Sequence, residues 1–279
     1  MKQTKLVDTG KAWENLQNRL TQENLIPENR KKLRLHSWNL TGAAVIIFCI
    51  FTGFGIYVLS DKSGNDLLSV TNEESGTSLV TTLEDGSTIY LTGNTSISYP
   101  EHFKTHERTV EIKGDALFEV IKDQERPFIV ETEHVRIKVL GTAFRVNTND
   151  KNSSSSFELS VIRGLVEVTG KSWGNPVPVA AGESVSLING RLLKGNPKTD
   201  QFSKFNSRIR FKDENLDNIL RVIKQTTGTN VILGSDDLKD LKLNVSFRNN
   251  SPDAMVKVIC IALKLNYTSE DNTFYIYKP

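Results

Sequence analysis

Two cysteines in 279 residues, Cys49 and Cys260, leave little room for several classes of protein. A disulfide scaffold is excluded, because Cys49 sits inside an apolar run and Cys260 in a distant helical pattern as a small buried hydrophobe. The chain contains no CxxC, HExxH, GxSxG or Walker A sequence, so no zinc, acyl-transfer or nucleotide site is legible and no cofactor is expected. Charge is also close to balance, at 35 Lys and Arg against 33 Asp and Glu. That balance hides an asymmetry: residues 1–37 carry eight basic and four acidic side chains, residues 60–279 carry 27 and 29. A mildly acidic body offers no clustered positive surface for phosphates, so nucleic acid is not an expected partner.

Long apolar runs are absent with one exception, LTGAAVIIFCIFTGFGIYVL, the 20 uncharged residues from Leu40 to Leu59. A helix of that length rises about 30 Å, the thickness of a bilayer's hydrocarbon core. Arg30, Lys31, Lys32 and Arg34 stand directly before it, whereas Asp61, Lys62 and Asp66 after it nearly cancel. The positive-inside rule then puts the N-terminus in the cytoplasm and the body outside. A cleaved signal peptide would have an apolar core of about 7–15 residues nearer the start, so residues 38–59 read as a single-pass anchor. Gly53 and Gly55 lack GxxxG spacing and are weak evidence for dimerisation.

The head, residues 1–37, holds one short amphipathic pattern. Trp13, Leu16 and Leu20 recur at helical spacing with Lys11, Glu14, Gln17 and Arg19 between them. Too little companion sequence exists to bury that stripe, which leaves a partner protein or the membrane surface as its destination. Residues 60–76 read as a polar linker. From residue 77 to 190 the chain becomes short alternating strands with glycine turns and no helical pattern. Leu79–Leu83 and Thr88–Leu91 flank Asp85-Gly86, a dipeptide that favours a type I′ hairpin. Val110 and Ile112 lead to a turn at Gly114-Asp115 and a return through Leu117; Leu159–Ile162 and Leu165–Val168 read as a hairpin about Arg163-Gly164. Ten to twelve strands of this kind make an all-β domain, solenoid- or sandwich-like.

After a second linker, residues 191–206, the segment 207–279 alternates types as β-α-β-β-α-β-β, a small α+β domain. Its first helix uses Leu216, Ile219, Leu220, Ile223 and Thr227 and stops at Gly228. Its second opens on Ser251 as N-cap with Pro252 next, and is expected to bury Met255, Val258, Ile259, Ala262 and Leu263.

Candidate chemistry is sparse. His102 and His106 are four apart beside Glu101 and Glu107, a spacing that serves zinc on a helix, but they follow Tyr99-Pro100 in a β region with no third ligand and read as a solvated loop. Asp85, Asp115 and Asp213 sit where turns and caps favour Asp for backbone reasons. The serines 153–156 have no base at matching spacing. No catalytic residue and no metal ligand is assigned, and the chain is not expected to be an enzyme.

A more specific signal comes from the order of several stretches between residues 83 and 187: LEDGSTIYLTGNTSISYPEHF, RTVEIKGDALFEVIKDQERPFIVET, VRIKVLGTAFRVN, VIRGLVEV and VAAGESVSL. They resemble the periplasmic domain of FecR-type anti-sigma regulators. The terminal α+β segment is similar to the small domain, of the secretin/TonB N-terminal type, that follows FecR domains in many members, especially from Bacteroidetes. The resemblance implies a β-solenoid-like domain and a relay across the inner membrane. In that relay the signalling domain of an outer-membrane TonB-dependent transporter contacts the C-terminal region. The head holds an ECF-type sigma factor, with Trp13, Leu16 and Leu20 as contact residues, and a site-specific protease acts in some members. The head is shorter than the anti-sigma domain of the iron-citrate type. A membrane-anchored scaffold or envelope-binding protein is the alternative reading.

Overall fold

The computed structural model describes residues 9–23, 52, 67–149, 155–171, 174–197 and 202–279. The chain divides into two compact units, Met1–Gly64 and Asn65–Pro279. In the first, helix α1 runs Thr9–Gln22. The expected anchor, 38–59, lies outside the described residues apart from Thr52, as do Arg30, Lys31, Lys32 and Arg34. Among the described residues no helix is long and apolar enough to cross a membrane.

The second unit begins as two β-sheets that the chain visits alternately. Strand β1 (Leu67–Asn72) lies in sheet one, then β2 (Ser78–Thr82) and β3 (Thr88–Leu91) in sheet two. The chain returns to sheet one with β4 (Thr95–Pro100) and β5 (Arg108–Lys113), and crosses again with β6 (Asp115–Glu119). The pairs β7 (Phe128–Glu131) with β8 (Val135–Val139), β9 (Ala143–Asn147) with β10 (Ser155–Arg163), β11 (Leu165–Gly170) with β12 (Val177–Ala180), and β13 (Ser184–Ile188) with β14 (Arg191–Gly195) continue the alternation. One apolar cluster takes Ile97, Val110, Val130, Ile137 and Val166 from sheet one and Leu91, Phe118, Phe144 and Leu159 from sheet two. The sheets therefore face each other as a sandwich, with inward and outward residues alternating as in β8, where Val135, Ile137 and Val139 are buried and Arg136 and Lys138 exposed.

Two expected hairpins are corrected by this arrangement. The strands either side of Gly114, and those either side of Gly164, belong to opposite sheets, so these glycines turn corners between layers. Each holds a positive φ, 127° and 91°, and each corner is tight: a Cβ on Gly114 would lie 2.4 Å from Thr95 Oγ1, and one on Gly164 would lie 2.7 Å from Thr142 Cγ2. The β2–β3 hairpin is real, but only Gly86 in its turn has φ above zero, so the turn is not type I′. Both expected linkers also carry structure: β1 within 60–76, and β14 and the one-turn helix α2 (Ser203–Asn206) within 191–206. Polar composition did not preclude strands there, since an exposed edge strand needs only one backbone neighbour.

The remaining elements are β15 (Arg208–Asn215), α3 (Leu216–Thr227), β16 (Asn230–Leu233), β17 (Lys242–Arg248), α4 (Pro252–Leu263), β18 (Asn266–Glu270) and β19 (Thr273–Tyr277). Their order is the expected β-α-β-β-α-β-β. Gly228 ends α3 in the left-handed conformation, its N–H donating to Lys224 O at 2.9 Å. Ser251 Oγ caps α4 by accepting from Ala254 N at 3.3 Å. The buried face of α4 is Met255, Val256, Ile259 and Cys260, while Val258, at 41%, and Ala262 are exposed, contrary to expectation. A helix apolar nearly all round carries no unique phase, so its neighbours choose the face. Strands β16, β19 and β18 form a three-stranded sheet, whereas β15 and β17 extend sheet two to nine strands through β15 lying parallel to β2.

Candidate functional site

In the first unit α1 presents Trp13 at 67% and Leu16 at 46% exposure, with Leu20 half-buried. The three positions lie within a narrow arc of the helix, since steps of three and seven residues nearly complete whole turns. Arg19 in the last turn complements the negative end of the helix dipole. The expected contact residues thus share one largely solvated apolar stripe.

The sandwich holds two buried ion pairs at aspartates whose positions are also explained by turn chemistry. Asp85 accepts from Ser87 N at 2.9 Å and Ser87 Oγ at 2.7 Å, as an Asx turn requires. The same carboxylate also accepts from Arg108 Nη1 at 2.6 Å, with the two side chains only 4% and 1% exposed. Arg108 further donates to Arg126 O at 2.9 Å and Ile121 O at 3.1 Å, and its guanidinium carbon lies 5.3 Å from the centroid of the Phe128 ring. Arg145 grips Asp115 with two bonds of 2.7 and 2.9 Å. The signal for the first pair was available: Arg108 shares its parity with Val110 and Ile112, so a strand burying those two also buries the arginine.

A third cluster joins the sandwich to the C-terminal segment. Three backbone pairs, Ile209–Ser78, Arg210–Leu79 and Phe211–Val80, link β15 to β2. Asp213 then takes a φ of 52° and the register shifts. The Glu214 carboxylate, on an 8% exposed residue, accepts from Thr82 N at 3.2 Å and Asn218 Nδ2 at 2.6 Å. Burial holds the Glu214 pKa above the ordinary carboxylate range, against these hydrogen bonds and the Lys242 charge. Arg210 donates to Glu74 Oε2 at 2.6 Å and Asn72 Oδ1 at 3.3 Å, and Arg221 Nη1 to Gly86 O at 3.3 Å. Asp213, expected at a turn, pairs with Lys242 at 2.9 Å.

Among the described residues no group of three His, Cys, Asp or Glu side chains could hold a metal. His102 pairs instead with Glu84 at 3.0 Å with its side chain 83% exposed, and that bond raises its pKa. Cys260 is buried, which pushes its thiol up to about 11 and leaves it a packing residue.

No curated protein matches the chain. Among solved structures, two crystal structures of a proposed anti-sigma factor from Parabacteroides distasonis ATCC 8503 share 24% identity, cover 76% of this chain and 99% of their own, and superpose with TM-scores of 0.45 and 0.46. The family model for FecR protein matches residues 70–167, and that for the FecR C-terminal region matches 208–276. Together the two span more than half of the sequence, and the chain belongs to the FecR family.

Proposed function

We propose that this chain is an anti-sigma regulator that carries a signal across a membrane. The observation that supports it most directly is the FecR region followed by a FecR C-terminal region, in a chain whose N-terminal helix leaves Trp13 and Leu16 exposed. Burying a Trp and two Leu side chains on a partner is worth about 1.5–3 kcal/mol each. Ordering a short helix consumes part of that gain, so a stripe of this size supports a reversible complex. In this reading the partner of α1 is an ECF-type sigma factor. The run Leu40–Leu59 crosses the inner membrane with Arg30, Lys31, Lys32 and Arg34 on the cytoplasmic side, and the Asn65–Pro279 unit stands in the periplasm. The signalling domain of a TonB-dependent transporter engages the C-terminal region, and a protease releases the head.

The test is a double substitution, Trp13→Ala with Leu16→Ala, read by a reporter under the sigma factor's promoter. Reporter output changes while membrane fractionation stays as in the unsubstituted chain. Unchanged output at equal protein level removes the head from the mechanism.

A further inference from the structure

The sandwich and the C-terminal segment own separate apolar cores. Of the sandwich's described residues, only Val80, Tyr90 and Leu117 enter the C-terminal cluster, which is otherwise built from Phe205 to Ile276. The sandwich's own cluster draws on none of the C-terminal elements. Each part therefore keeps its core if the two separate, a property that a seam inside one continuous core would lack.

Around those three residues the seam is incompletely satisfied. Val80 faces Tyr90 and Thr82 faces Thr88 across the β2–β3 ladder, and the period-two alternation puts all four on the face that carries Leu117. Tyr90 Oη, Thr88 Oγ1 and Thr82 Oγ1 are buried there with no hydrogen-bond partner from the protein. Buried hydroxyls nearly always find partners in stable cores, because an unpaired one forfeits its water without replacement. Glu214 adds a buried carboxylate to the same seam. Opening would expose all four groups to bulk water. Its backbone tie is only three residue pairs long, beyond which three side-chain clasps take over. Glu214 holds the N–H of Thr82, Arg210 holds Glu74 and Asn72, and Arg221 reaches Gly86 O.

We propose that the β2–β15 seam is a releasable latch, in which Glu214, Arg210 and Arg221 are the clasps and the sandwich and the C-terminal segment both stay folded when it opens. Such a latch would convert an event at the C-terminal segment into exposure of the β2 edge, without unfolding either part.

Hydrogen exchange on the full chain, resolved by peptide at constant pH, tests this. Peptides over 78–82 and 208–211 are expected to show protection at least about tenfold below that of β9–β10 and of the interior of α4, the mark of a sub-global opening. Arg210→Ala and, separately, Glu214→Gln each lower protection at those two peptides by a further several-fold and leave β9–β10 and α4 unchanged. Glu214→Gln keeps the side-chain shape, and Arg210 lies on the other side of the ladder, so a folding defect in one variant does not repeat in the other. Seam peptides that exchange only together with both cores would overturn the proposal. So would variants that lower protection everywhere by the same factor.

Discussion

Removing the Asp85 carboxylate leaves the Arg108 guanidinium 1% exposed in its side chain, still bonded to Arg126 O and Ile121 O but with no counter-charge. Breaking a buried pair by deleting one partner costs about 3–5 kcal/mol, because the surviving charge stays desolvated. The Ser87 bonds to Asp85 are lost as well, each a net contribution of about 1 kcal/mol. For a unit the size of Asn65–Pro279, 1 kcal/mol moves Tm by about 2–4 °C, so the combined loss of about 5–7 kcal/mol is expected to lower Tm by roughly 10–28 °C for Asp85→Ala in thermal unfolding followed by circular dichroism. Arg108→Met added to Asp85→Ala should recover most of the loss, since an apolar side chain of similar length fills the site without a charge. Lys194→Ala, which opens an exposed pair to Glu183, is the control and should cost no more than about 1 kcal/mol. A drop of under about 3 °C for Asp85→Ala, or a double variant no better than the single, would refute the reasoning: Arg108 would then be reaching water instead of being held by the fold.

Three further outcomes follow from the geometry. Gly114→Ala combines a φ of 127° with a Cβ 2.4 Å from Thr95 Oγ1 and should cost roughly 2–5 kcal/mol in a denaturant titration; Gly182→Ala, at φ 80° with nothing within 4 Å, should cost only about 1–2, and equal costs would discount the steric part. Ser251→Ala removes the cap on Ala254 N and should destabilise α4 by about 1 kcal/mol, seen as faster exchange in its first turn; no change there would mean the cap contributes nothing. Glu214 faces Lys242 from β17 and Asn218 from α3, with Asp213 beside it and its charge felt by Tyr99 on β4. Because burial raises its pKa in the folded state, its contribution is full below the ordinary carboxylate value and is lost as pH rises through the raised one. Tm should therefore fall over that window in the native chain and less steeply in Glu214→Gln, and parallel curves would exclude Glu214 as the titrating group.

Much of the second unit was legible from local pattern. The alternating strand through Val110 and Ile112 buries those two residues as its pattern requires, and Ser251-Pro252 and Gly228 marked helix ends that the structure keeps. Local pattern failed wherever two alternatives satisfy it equally. An Arg-Gly or Gly-Asp dipeptide between strands looks the same whether the chain folds back in one sheet or turns a corner to the next. The apolar run of α4 has no preferred face until β17 and β18 supply one. Asp85 satisfies its turn through Ser87 with or without an arginine behind it, so the pairing with Arg108 was invisible from the turn alone.

What the sequence determined by itself was the order and type of the elements outside the two expected linkers, the motif order that marks the FecR family, and the helical spacing of Trp13, Leu16 and Leu20. These are set by periodicity and by turn and cap residues acting over a few positions. Only the tertiary structure decided which sheet each strand joins, that Arg108 and Arg145 are buried on carboxylates, and that the C-terminal segment closes onto β2. The bond from Thr82 N to Glu214 spans 132 positions, and a contact that distant depends on how the two sheets bring their edges together. Nothing in the spacing of either strand records its partner.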